Sequence, residues 1–566
     1  MSYVIGKDCS TCHYCFHECP VSAIRFVGNT YQIDPETCVS CGKCAKVCPT
    51  SRITKAGEKH IPALHPLTEY STDAVILGAG GSGLVAAVRF AELTGKRAIV
   101  LEKAAKVGGS TNLGHAFVTR YTKFHQAAGM PDEREQAIEA IAADAQPGYP
   151  KKLLKRAMYG LDDMFNWLIG FGGGEEEFEL IDRRGLPQMG PFPNMPGLIG
   201  PKKRFLNVKS TDESMGPGWA GTFVIQKMMD QTERLGITVL TGVRADHIIT
   251  DEQGRFQAVA AHDDGGDICV SADVCLVATG GFSRNRELMA KVRPSFYAGF
   301  PVHSFAAASN TGDAIAIARE LGAMIDLDTV KVPMFSPTHH PFTLSLVWLS
   351  NDPRMIMINK EGRRYYNEAS MPGQTGALES QPDMYGWAIF DTPTAEAMSV
   401  DLIERGSHTT VAAAMYNWRQ DLEYECTLDL AAKKADTLAE LAALMGVDPA
   451  VLTGTVDEYN AGCSSGGDKF GKPARFLSPC VQGPFYALFQ GRFNEGAVGG
   501  VVTDDDLRML KQDGTPFRGL YMAGDCCRGL LKKNDERSKF GEMPWAMASG
   551  WIAGEEMAKY IGAKAT

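Results

Sequence analysis

The chain has 566 residues, of which 44% are apolar and 22% are charged, and its formal net charge is −10. Its length suggests about three or four domains, and its composition excludes a disordered or collagen-like chain. The acidic balance disfavours a nucleic-acid binder, and the sequence has no run of about 18 apolar residues that would span a membrane. Residues 1–9 contain no apolar signal core, so we expect a cytoplasmic location.

Fifteen cysteines are the unusual feature of the composition, and eight of them lie within residues 9–48. They form two runs with the spacing C-x2-C-x2-C-x3-C-P, typical of bacterial two-cluster ferredoxins, in which the fourth cysteine of each run ligates the other cluster. A zinc module or a disulfide knot is the alternative, but zinc sites do not need the third cysteine of each run. The predicted ligands are Cys9, Cys12, Cys15 and Cys48 for one [4Fe-4S] cluster and Cys38, Cys41, Cys44 and Cys19 for the other.

We therefore predict a ferredoxin domain over residues 1–57, with a short hairpin from Ala23 to Asp34 between the two runs. Residues 1–69 contain seven basic and six acidic residues, so this module is not strongly acidic. We expect it to pass electrons within its own chain rather than to act as a free carrier. Residues 58–70 hold two prolines and no periodicity, and are predicted to be a linker.

A dinucleotide-binding signature follows this linker. Residues 73–78 are predicted to form a short strand that runs into G-x-G-x-x-G, and residues 84–93 to form a helix. A second predicted strand, residues 98–102, ends in the acid Glu102. The glycines would let backbone amides meet a pyrophosphate, and Glu102 would accept hydrogen bonds from the adenosine ribose. The alternative is a Rossmann-like fold that holds no nucleotide.

Three further stretches accompany the signature: residues 106–111, residues 274–282 and residues 519–525. With it, they resemble the FAD-binding flavoproteins of the fumarate reductase and succinate dehydrogenase superfamily, which includes urocanate reductases and 3-ketosteroid dehydrogenases. The resemblance implies an α/β and α+β multidomain chain. It comprises the two-cluster ferredoxin fold, a Rossmann-like FAD-binding domain in two parts (residues 71–329 and 491–566), and an inserted α+β cap domain (residues 330–490).

The resemblance also implies how FAD is bound. Ser110 stands where some members carry a histidine that links the flavin covalently, so we expect non-covalent FAD. His115 lies either near the flavin ring or in a purely structural place. The residues expected to contact FAD are Gly78, Gly80, Gly81, Ser82, Gly83, Glu102, Lys103, Gly109, Ser110, Thr111, Ala245, Ala278, Thr279, Gly280, Gly524 and Asp525.

The substrate groups of the fumarate reductases are mostly missing. That family holds a dicarboxylate with two histidines and an arginine, and protonates it with a second arginine. At three of the four matched places this chain has Met334, Pro372 and Gly496, and only Arg537 has a counterpart. A buried carboxylate without partners costs several kcal/mol, so we reject fumarate and expect a neutral, flat or aromatic substrate.

In the predicted reaction, electrons pass through two [4Fe-4S] clusters to FAD. The reduced FAD then transfers hydride to an activated C=C of an enone or enoate. Arg537, Tyr366 or His339 would donate the proton or polarise a carbonyl. The alternatives are a ketosteroid-type desaturase, reductive dehydroxylation of a phenolic or isoflavonoid-like molecule, and an electron-transfer subunit. We expect a small-molecule substrate, no nucleic acid, and an external low-potential donor, either a protein or an NADH-linked reductase. The sequence leaves open whether the chain forms an oligomer.

Overall fold

A computed structural model of the protein describes most of the chain. The described residues are 2–6, 14–27, 30–48, 53–56, 67–114, 117–119, 121–143, 150–171, 178–181, 205–208, 220–293, 303–304, 306–330, 334–335, 346, 349, 352–369, 377–378, 380–405, 418–428, 431–491, 493–494, 496–530 and 542–565. Within these ranges, no helix is both long and apolar enough to cross a lipid bilayer.

The first module contains short elements whose strands pair only with one another in the part of the chain that is described. They are β1 (Tyr3–Ile5), α1 (Tyr14–His17), β2 (Ile24–Val27), β3 (Thr30–Ile33), α2 (Lys43–Lys46) and β4 (Ile53–Lys55). The hairpin predicted between the two cysteine runs is present as β2 and β3. Ile24, Tyr31 and Ile53 pack with Cys15 and Cys44, so the cysteines share the interior of this small module with its apolar core.

The next part of the chain builds most of a large α/β domain. Its elements are β5 (Leu67–Ser71), β6 (Ala74–Leu77), α3 (Gly81–Thr94), β7 (Ala98–Glu102), β8 (Phe117–Val118), α4 (Lys123–Ala127), α5 (Arg134–Ala143), α6 (Lys151–Ile169), β9 (Phe178–Ile181), β10 (Phe205–Val208), α7 (Ala220–Arg234), β11 (Thr238–Thr241), β12 (Arg244–Thr250), β13 (Phe256–Asp263), β14 (Gly266–Ser271), β15 (Val274–Val277), α8 (Arg286–Val292), β16 (His303–Ser304) and α9 (Asp313–Glu320). After the cap, the chain returns to this domain with β22 (Phe493–Asn494), β23 (Arg508–Leu510), β24 (Pro516–Met522) and α14 (Glu542–Ala565).

The central sheet of this domain has the strand order β11-β7-β6-β15-β24-β23. Neighbouring strands are parallel except β23, which runs antiparallel to β24. Every residue of β6, β7 and β15 is buried, as expected for parallel strands covered on both faces. The carboxyl ends of the parallel strands therefore meet at one edge of the sheet, which is where such folds bind nucleotides.

The predicted linker ends earlier than residue 70. Leu67–Ser71 forms β5 and pairs in parallel with β14, at the edge of a second sheet of order β12-β13-β14-β5. The prediction that residues 67–70 belong to a linker was therefore wrong. Most of β5 is exposed, so no buried face marked it as a strand in the sequence. Hydrogen bonding to β14 makes it an edge strand of the FAD-binding half.

The cap is a four-stranded antiparallel sheet covered by helices on both faces. Its elements are β18 (Ile356–Asn359), β19 (Gly386–Asp391), α10 (Thr392–Arg405), α11 (Trp418–Leu428), β20 (Ala432–Ala435), α12 (Leu438–Met445), α13 (Pro449–Ser465) and β21 (Phe485–Gln490), with the sheet order β18-β19-β21-β20. Side chains alternate between the two faces along each strand. Trp387 packs with α12 and α13, and Phe390, three residues further along β19, packs with α10 and α11.

A small three-stranded sheet joins the cap to the α/β domain. It has the order β16-β22-β17, where β17 is Met334–Phe335. Met334, near the start of the cap, lies opposite Asn494, and His303 of the α/β domain pairs with Phe493. The chain therefore leaves the α/β domain and returns to it side by side, a few residues from Gly496.

Candidate flavin and cluster sites

The predicted glycine-rich turn lies between β6 and α3, and its first and last glycines allow close packing. Gly78 has a φ of 106°, and a Cβ at that residue would lie 2.4 Å from the Ala278 carbonyl oxygen. A Cβ on Gly83 would lie 1.9 Å from the Gly78 carbonyl oxygen. Only glycine fits at these two positions, so their role is to bring strand, turn and helix together.

Gly80 and Gly109 form an open cradle at the N-terminus of α3. A Cβ on Gly80 would meet only the Gly108 carbonyl oxygen, at 3.9 Å, and one on Gly109 only the Cα of Gly80, at 4.0 Å. The Gly108 amide donates to the Ala79 carbonyl over 2.8 Å and holds the two loops together. The Gly81 amide donates to the Thr111 hydroxyl over 3.1 Å. Bare backbone at a helix N-terminus suits a pyrophosphate.

Glu102 ends β7 as predicted, and the backbone fixes its carboxylate. It accepts a hydrogen bond from the Ala79 amide over 2.9 Å and one from the Ala104 amide over 2.8 Å. Burial raises the pKa of Glu102, and the two amide donors oppose that shift. A carboxylate offers about four acceptor positions, so two remain for hydroxyl donors in the cleft.

A charged cluster that was not apparent from the sequence lies beside Glu102. The Lys103 ammonium donates to the Thr311 hydroxyl and to the Asp313 carboxylate, each over 2.5 Å. Arg244 donates to the other oxygen of Asp313 over 3.0 Å. The polar turn from Asn310 to Asp313 at the start of α9 is visible in the sequence and could have indicated such a cluster. Nothing in the sequence, however, showed that this turn contacts Lys103.

These groups surround one cleft of about 710 Å³ at the carboxyl edge of the central sheet. Every residue predicted to contact FAD lines it except Gly83 and Gly524. Gly524 is held by α14 instead: its amide donates to the Ser549 hydroxyl and its carbonyl accepts from the Trp545 indole. The Thr279 hydroxyl oxygen is buried in the cleft wall and has no hydrogen-bond partner among the described residues. The cradle, Glu102 and this hydroxyl fit a dinucleotide cofactor such as FAD.

A second cavity lies in the first module, and it encloses about 290 Å³ when the space open to solvent is counted. Four of the predicted ligands line it: Cys19, Cys38, Cys41 and Cys44. Cys19 comes from the first run and the other three from the second, the set expected for one cluster. Among the described residues, no three ligating side chains are close enough together to hold a single metal ion. The four cysteines are therefore spread around a cavity rather than gathered at one point. Such a space suits a cluster better than the alternative zinc ion. Cys9 and Cys12 lie outside the described residues.

The predicted catalytic residues are described only in part. Arg537 and His339 lie outside the described residues, as do His115 and Pro372. Tyr366 is 8% exposed and packs in the cap cluster around Phe390 rather than along the cleft. Gly496 is buried, and no atom of the described residues lies within 4 Å of the Cβ position at that residue.

Gly496 also lies beside the cleft. Its neighbour Ala497 packs against the turn that follows β15, because its carbonyl oxygen would lie 1.9 Å from a Cβ on Gly281. Gly280, the preceding residue of that turn, lines the cleft. The space at Gly496, where the resemblance expects a histidine, therefore adjoins the flavin cleft.

Residues 359–368 have the pattern N-x-x-G-x-R-x-x-N-E, and this motif ties the cap together instead of lining the cleft. Arg364 pairs with Glu368 over 2.6 Å and with Asp468 over 2.5 Å, and all three side chains are buried. Lys472 lies 3.5 Å from Glu368 and donates to the Met355 carbonyl over 2.8 Å. The motif therefore locks a loop of the cap onto α13 and the turn after it.

The vicinal thiols Cys526 and Cys527 follow Asp525 and are both buried. Burial raises the pKa of Cys527 to about 12 and that of Cys526 well above its usual value. The Cys526 thiol donates to the Ala523 carbonyl over 3.2 Å. These protonated, buried thiols pack as small apolar side chains.

The fold and the two cavities define a flavoprotein with a fused iron-sulfur module. A family model described as FAD binding domain matches residues 73–536, and one described as 4Fe-4S dicluster domain matches residues 8–51. The chain belongs to the FAD-binding-domain family and carries an N-terminal 4Fe-4S dicluster domain. Its cofactors are FAD and [4Fe-4S] clusters, and it is an FAD-dependent oxidoreductase that acts on CH–CH groups.

Known proteins resemble the chain over most of its length. A urocanate reductase of Eggerthella lenta is 27% identical over 481 residues, covering 83% of this chain and 72% of that protein. A vinyl phenol reductase of Lactiplantibacillus plantarum is 24% identical over 524 residues, covering 87% and 97%. The open conformation of a flavocytochrome c3 fumarate reductase superposes with a TM-score of 0.68 at 21% identity, covering 87% of this chain and 78% of that one. The last likeness shows the fold alone.

Proposed function

We propose that the protein is a reductase whose FAD delivers hydride to an activated C=C of a neutral, cyclic or aromatic substrate other than fumarate. The observation that carries this proposal is the buried space at Gly496 beside the flavin cleft. An imidazole is expected there in an enzyme that binds a dicarboxylate, and a glycine places no side chain there instead. The name of one relative, vinyl phenol reductase, supports an aromatic substrate.

The chain's own residues would hold the cofactors. The cradle of Gly80 and Gly109 would take the pyrophosphate, and Glu102 would accept from the ribose hydroxyls. Bound FAD supplies hydride transfer and the clusters supply single electrons. Ser110 accepts hydrogen bonds from the Ala307 amide and the Asn310 side chain over 3.0 and 3.2 Å, which supports non-covalent flavin.

The protonation step is proposed for Arg537 or His339. Both follow from the sequence, because Arg537 matches the one arginine that remains and His339 follows Met334 closely. Tyr366 is the weaker candidate because it packs in the cap core, away from the cleft. Hydride addition to the C=C leaves the product one proton short. A group that faces the flavin across the substrate must donate that proton.

Anaerobic stopped-flow mixing tests the proposal. The fully reduced protein is mixed with hydroxylated styrenes, cyclic enones, urocanate and fumarate, and flavin reoxidation is followed by absorbance. We expect reoxidation by a neutral aromatic or cyclic alkene and none by fumarate. Rapid reoxidation by fumarate would refute the proposal, and reduction of the oxidised flavin by a saturated ketone would favour the desaturase. If no compound reoxidises the flavin, the electron-transfer subunit is favoured.

A substitution at Gly496 sharpens this test. Gly496→Leu fills the buried space, and we expect it to raise KM or abolish turnover while flavin content stays normal. Gly454→Leu is the matched control, because Gly454 also has no atom within 4 Å of its Cβ position but is exposed on α13. Equal turnover in the two variants would show that the substrate does not use this space.

A further inference from the structure

The cavity lined by Cys19, Cys38, Cys41 and Cys44 has one wall that is open to solvent. Cys44 is buried, and Cys19 and Cys38 are partly buried, but Cys41 is exposed. Val39 also lines the cavity and is 59% exposed. The FAD-binding half and the cap leave this wall uncovered in the described structure. An electron carrier that reached it would stand in direct contact with a cluster ligand.

The chain segment that contains Cys41 is basic. The short helix α2 follows Cys41 directly and places Lys43 and Lys46 at the surface, both exposed. No acidic residue lies within residues 37–57 of this module. The chain as a whole carries a net charge of −10, so this patch contrasts with the rest of the protein. An acidic partner would be attracted here and repelled by most other surfaces.

We propose that electrons reach the protein on this wall, the donor face (Val39, Cys41, Lys43 and Lys46), from a small acidic one-electron carrier protein. Val39 supplies an apolar contact at the centre, and the two lysines steer the carrier and fix its orientation. At each encounter the carrier loses one electron and the cluster next to Cys41 gains it. Two encounters supply the two electrons of one hydride. The inference rests on the proposed flow of electrons from the clusters to FAD and identifies the external donor.

Stopped-flow reduction of the intact, fully loaded protein tests the donor face without any substrate. Reduced flavodoxin, an acidic carrier, is mixed anaerobically with the oxidised protein, and bleaching of the cluster absorbance is followed. The test variants are Lys43→Glu and Lys46→Glu, singly and combined. Lys152→Glu is the matched control, because Lys152 is also exposed but lies on α6 of the FAD-binding half.

We expect the combined variant to lower the second-order rate about tenfold at low ionic strength, and Lys152→Glu to leave it unchanged. High salt should bring all the rates together, because it screens exposed charges. Isothermal titration calorimetry with oxidised flavodoxin should rank the affinities of the variants in the same order as their rates of reduction. Photoreduction by a small neutral deazaflavin, which needs no docking, should reduce every variant equally and so confirm intact clusters.

Equal rates for the combined variant and for Lys152→Glu would overturn the donor face. So would bleaching of the flavin before the clusters. These results are independent of the substrate assays. Normal reduction by flavodoxin, followed by no reoxidation with any alkene, would refute the proposed function and leave the donor face standing.

Discussion

Glu102 has two roles at the carboxyl edge of the sheet. Its carboxylate holds the Ala79 and Ala104 amides, and so fixes both the glycine-rich turn and the turn after β7. The same group lines the cleft with its remaining acceptor positions. Burial raises its pKa and therefore works against the charged form. The two amide donors favour the charged form, in which every oxygen position can accept a hydrogen bond.

Glu102→Gln should weaken FAD binding by about tenfold to a hundredfold. The glutamine places an NH2 group against one of the two amide donors, or toward the ribose hydroxyls, and about 1.5–3 kcal/mol of hydrogen bonding to a charged group is lost. Titration of the apoprotein with FAD, followed by flavin fluorescence, measures the change. Glu252→Gln in an exposed turn is the control and should bind FAD as the parent does. An unchanged affinity for FAD would show that Glu102 does not contribute to cofactor binding.

Glu425 should make cap stability depend on pH. Burial raises the pKa of this carboxyl from 4.5 to about 7 in the folded chain. Below pH 4.5 the group is neutral in both states. As the pH rises to about 7, only the unfolded chain releases the proton, so the free energy of unfolding falls by about 3 kcal/mol. Above pH 7 the loss is complete.

Glu425→Gln should remove this dependence. The variant is therefore expected to gain stability relative to the parent between about pH 4.5 and 7, and to hold that gain at higher pH. Hydrogen exchange of α11 amides at several pH values measures it. Glu423→Gln, on the same helix but half exposed, is the control. Its stability should depend on pH in the same way as that of the parent. Parallel slopes for the parent and Glu425→Gln would contradict the prediction.

At the scale of elements, one buried ion-pair network holds the cap loop that ends at Glu368. Arg364 joins Glu368 of its own loop to Asp468 beyond α13, and both carboxylates are only 2% exposed. Lys472 forms a longer ion pair with Glu368, at 3.5 Å. The network therefore determines how this loop docks on the cap, although it lies away from the flavin cleft.

Arg364→Met should destabilise the cap by about 3–5 kcal/mol. The substitution leaves two buried carboxylates without their main partner, which is costly even when the new side chain packs well. Chemical denaturation followed by tryptophan fluorescence measures the loss, because Trp387 and Trp418 lie in the cap. Arg363→Met is the matched control at the exposed neighbouring residue and should change stability by no more than about 0.5 kcal/mol. Similar losses in both variants would contradict a buried network.

Elements set by local spacing were predictable from the sequence, and those set by distant pairing were not. β6, the glycine turn, α3 and β7 follow one another within Ala74–Glu102, so composition and order identified them. The pairing of Lys103 with Asp313 depends on sheet topology, because the two residues are far apart in the chain. β5 escaped prediction because hydrogen bonds to β14, rather than a buried face, make it a strand.

The substrate side was the least predictable part of the candidate site. Tyr366 is an aromatic residue in a family-like motif, and the sequence alone did not separate a core position from a catalytic one. The structure places it in the apolar cluster between the cap sheet and α10. Gly496 was difficult for a different reason. A glycine has no side chain, so only the surrounding fold shows that there is a space beside it.

The whole molecule consists of separable parts. The strands of the first module pair only with one another among the described residues, and the FAD-binding half has its own sheets. The border between them lies just before β5, which completes the second sheet of the FAD-binding half. The module can therefore be removed without opening a sheet, provided that the cut spares β5.

A chain that begins at Leu67 should fold, keep FAD and react with substrate after photoreduction. It should lose reduction by flavodoxin, because the donor face is gone. A chain that begins at Thr72 lacks β5 and leaves the edge of β14 unpaired, so it should unfold at a lower temperature or aggregate. Flavin content and thermal unfolding of the two truncations measure this. Equal stability would show that β5 adds nothing to the FAD-binding half.

The burial of Cys275, Cys526 and Cys527 has a practical consequence for labelling. Alkylating reagents attack thiolates, and burial raises the pKa of all three thiols, so they stay protonated and shielded in the folded protein. Cys41 of the first module is exposed, so bound iron would be its protection from such reagents. Mass-spectrometric counting of alkylated residues among the eight predicted cluster ligands would therefore report cluster loss in a preparation, without any spectrum of the clusters themselves.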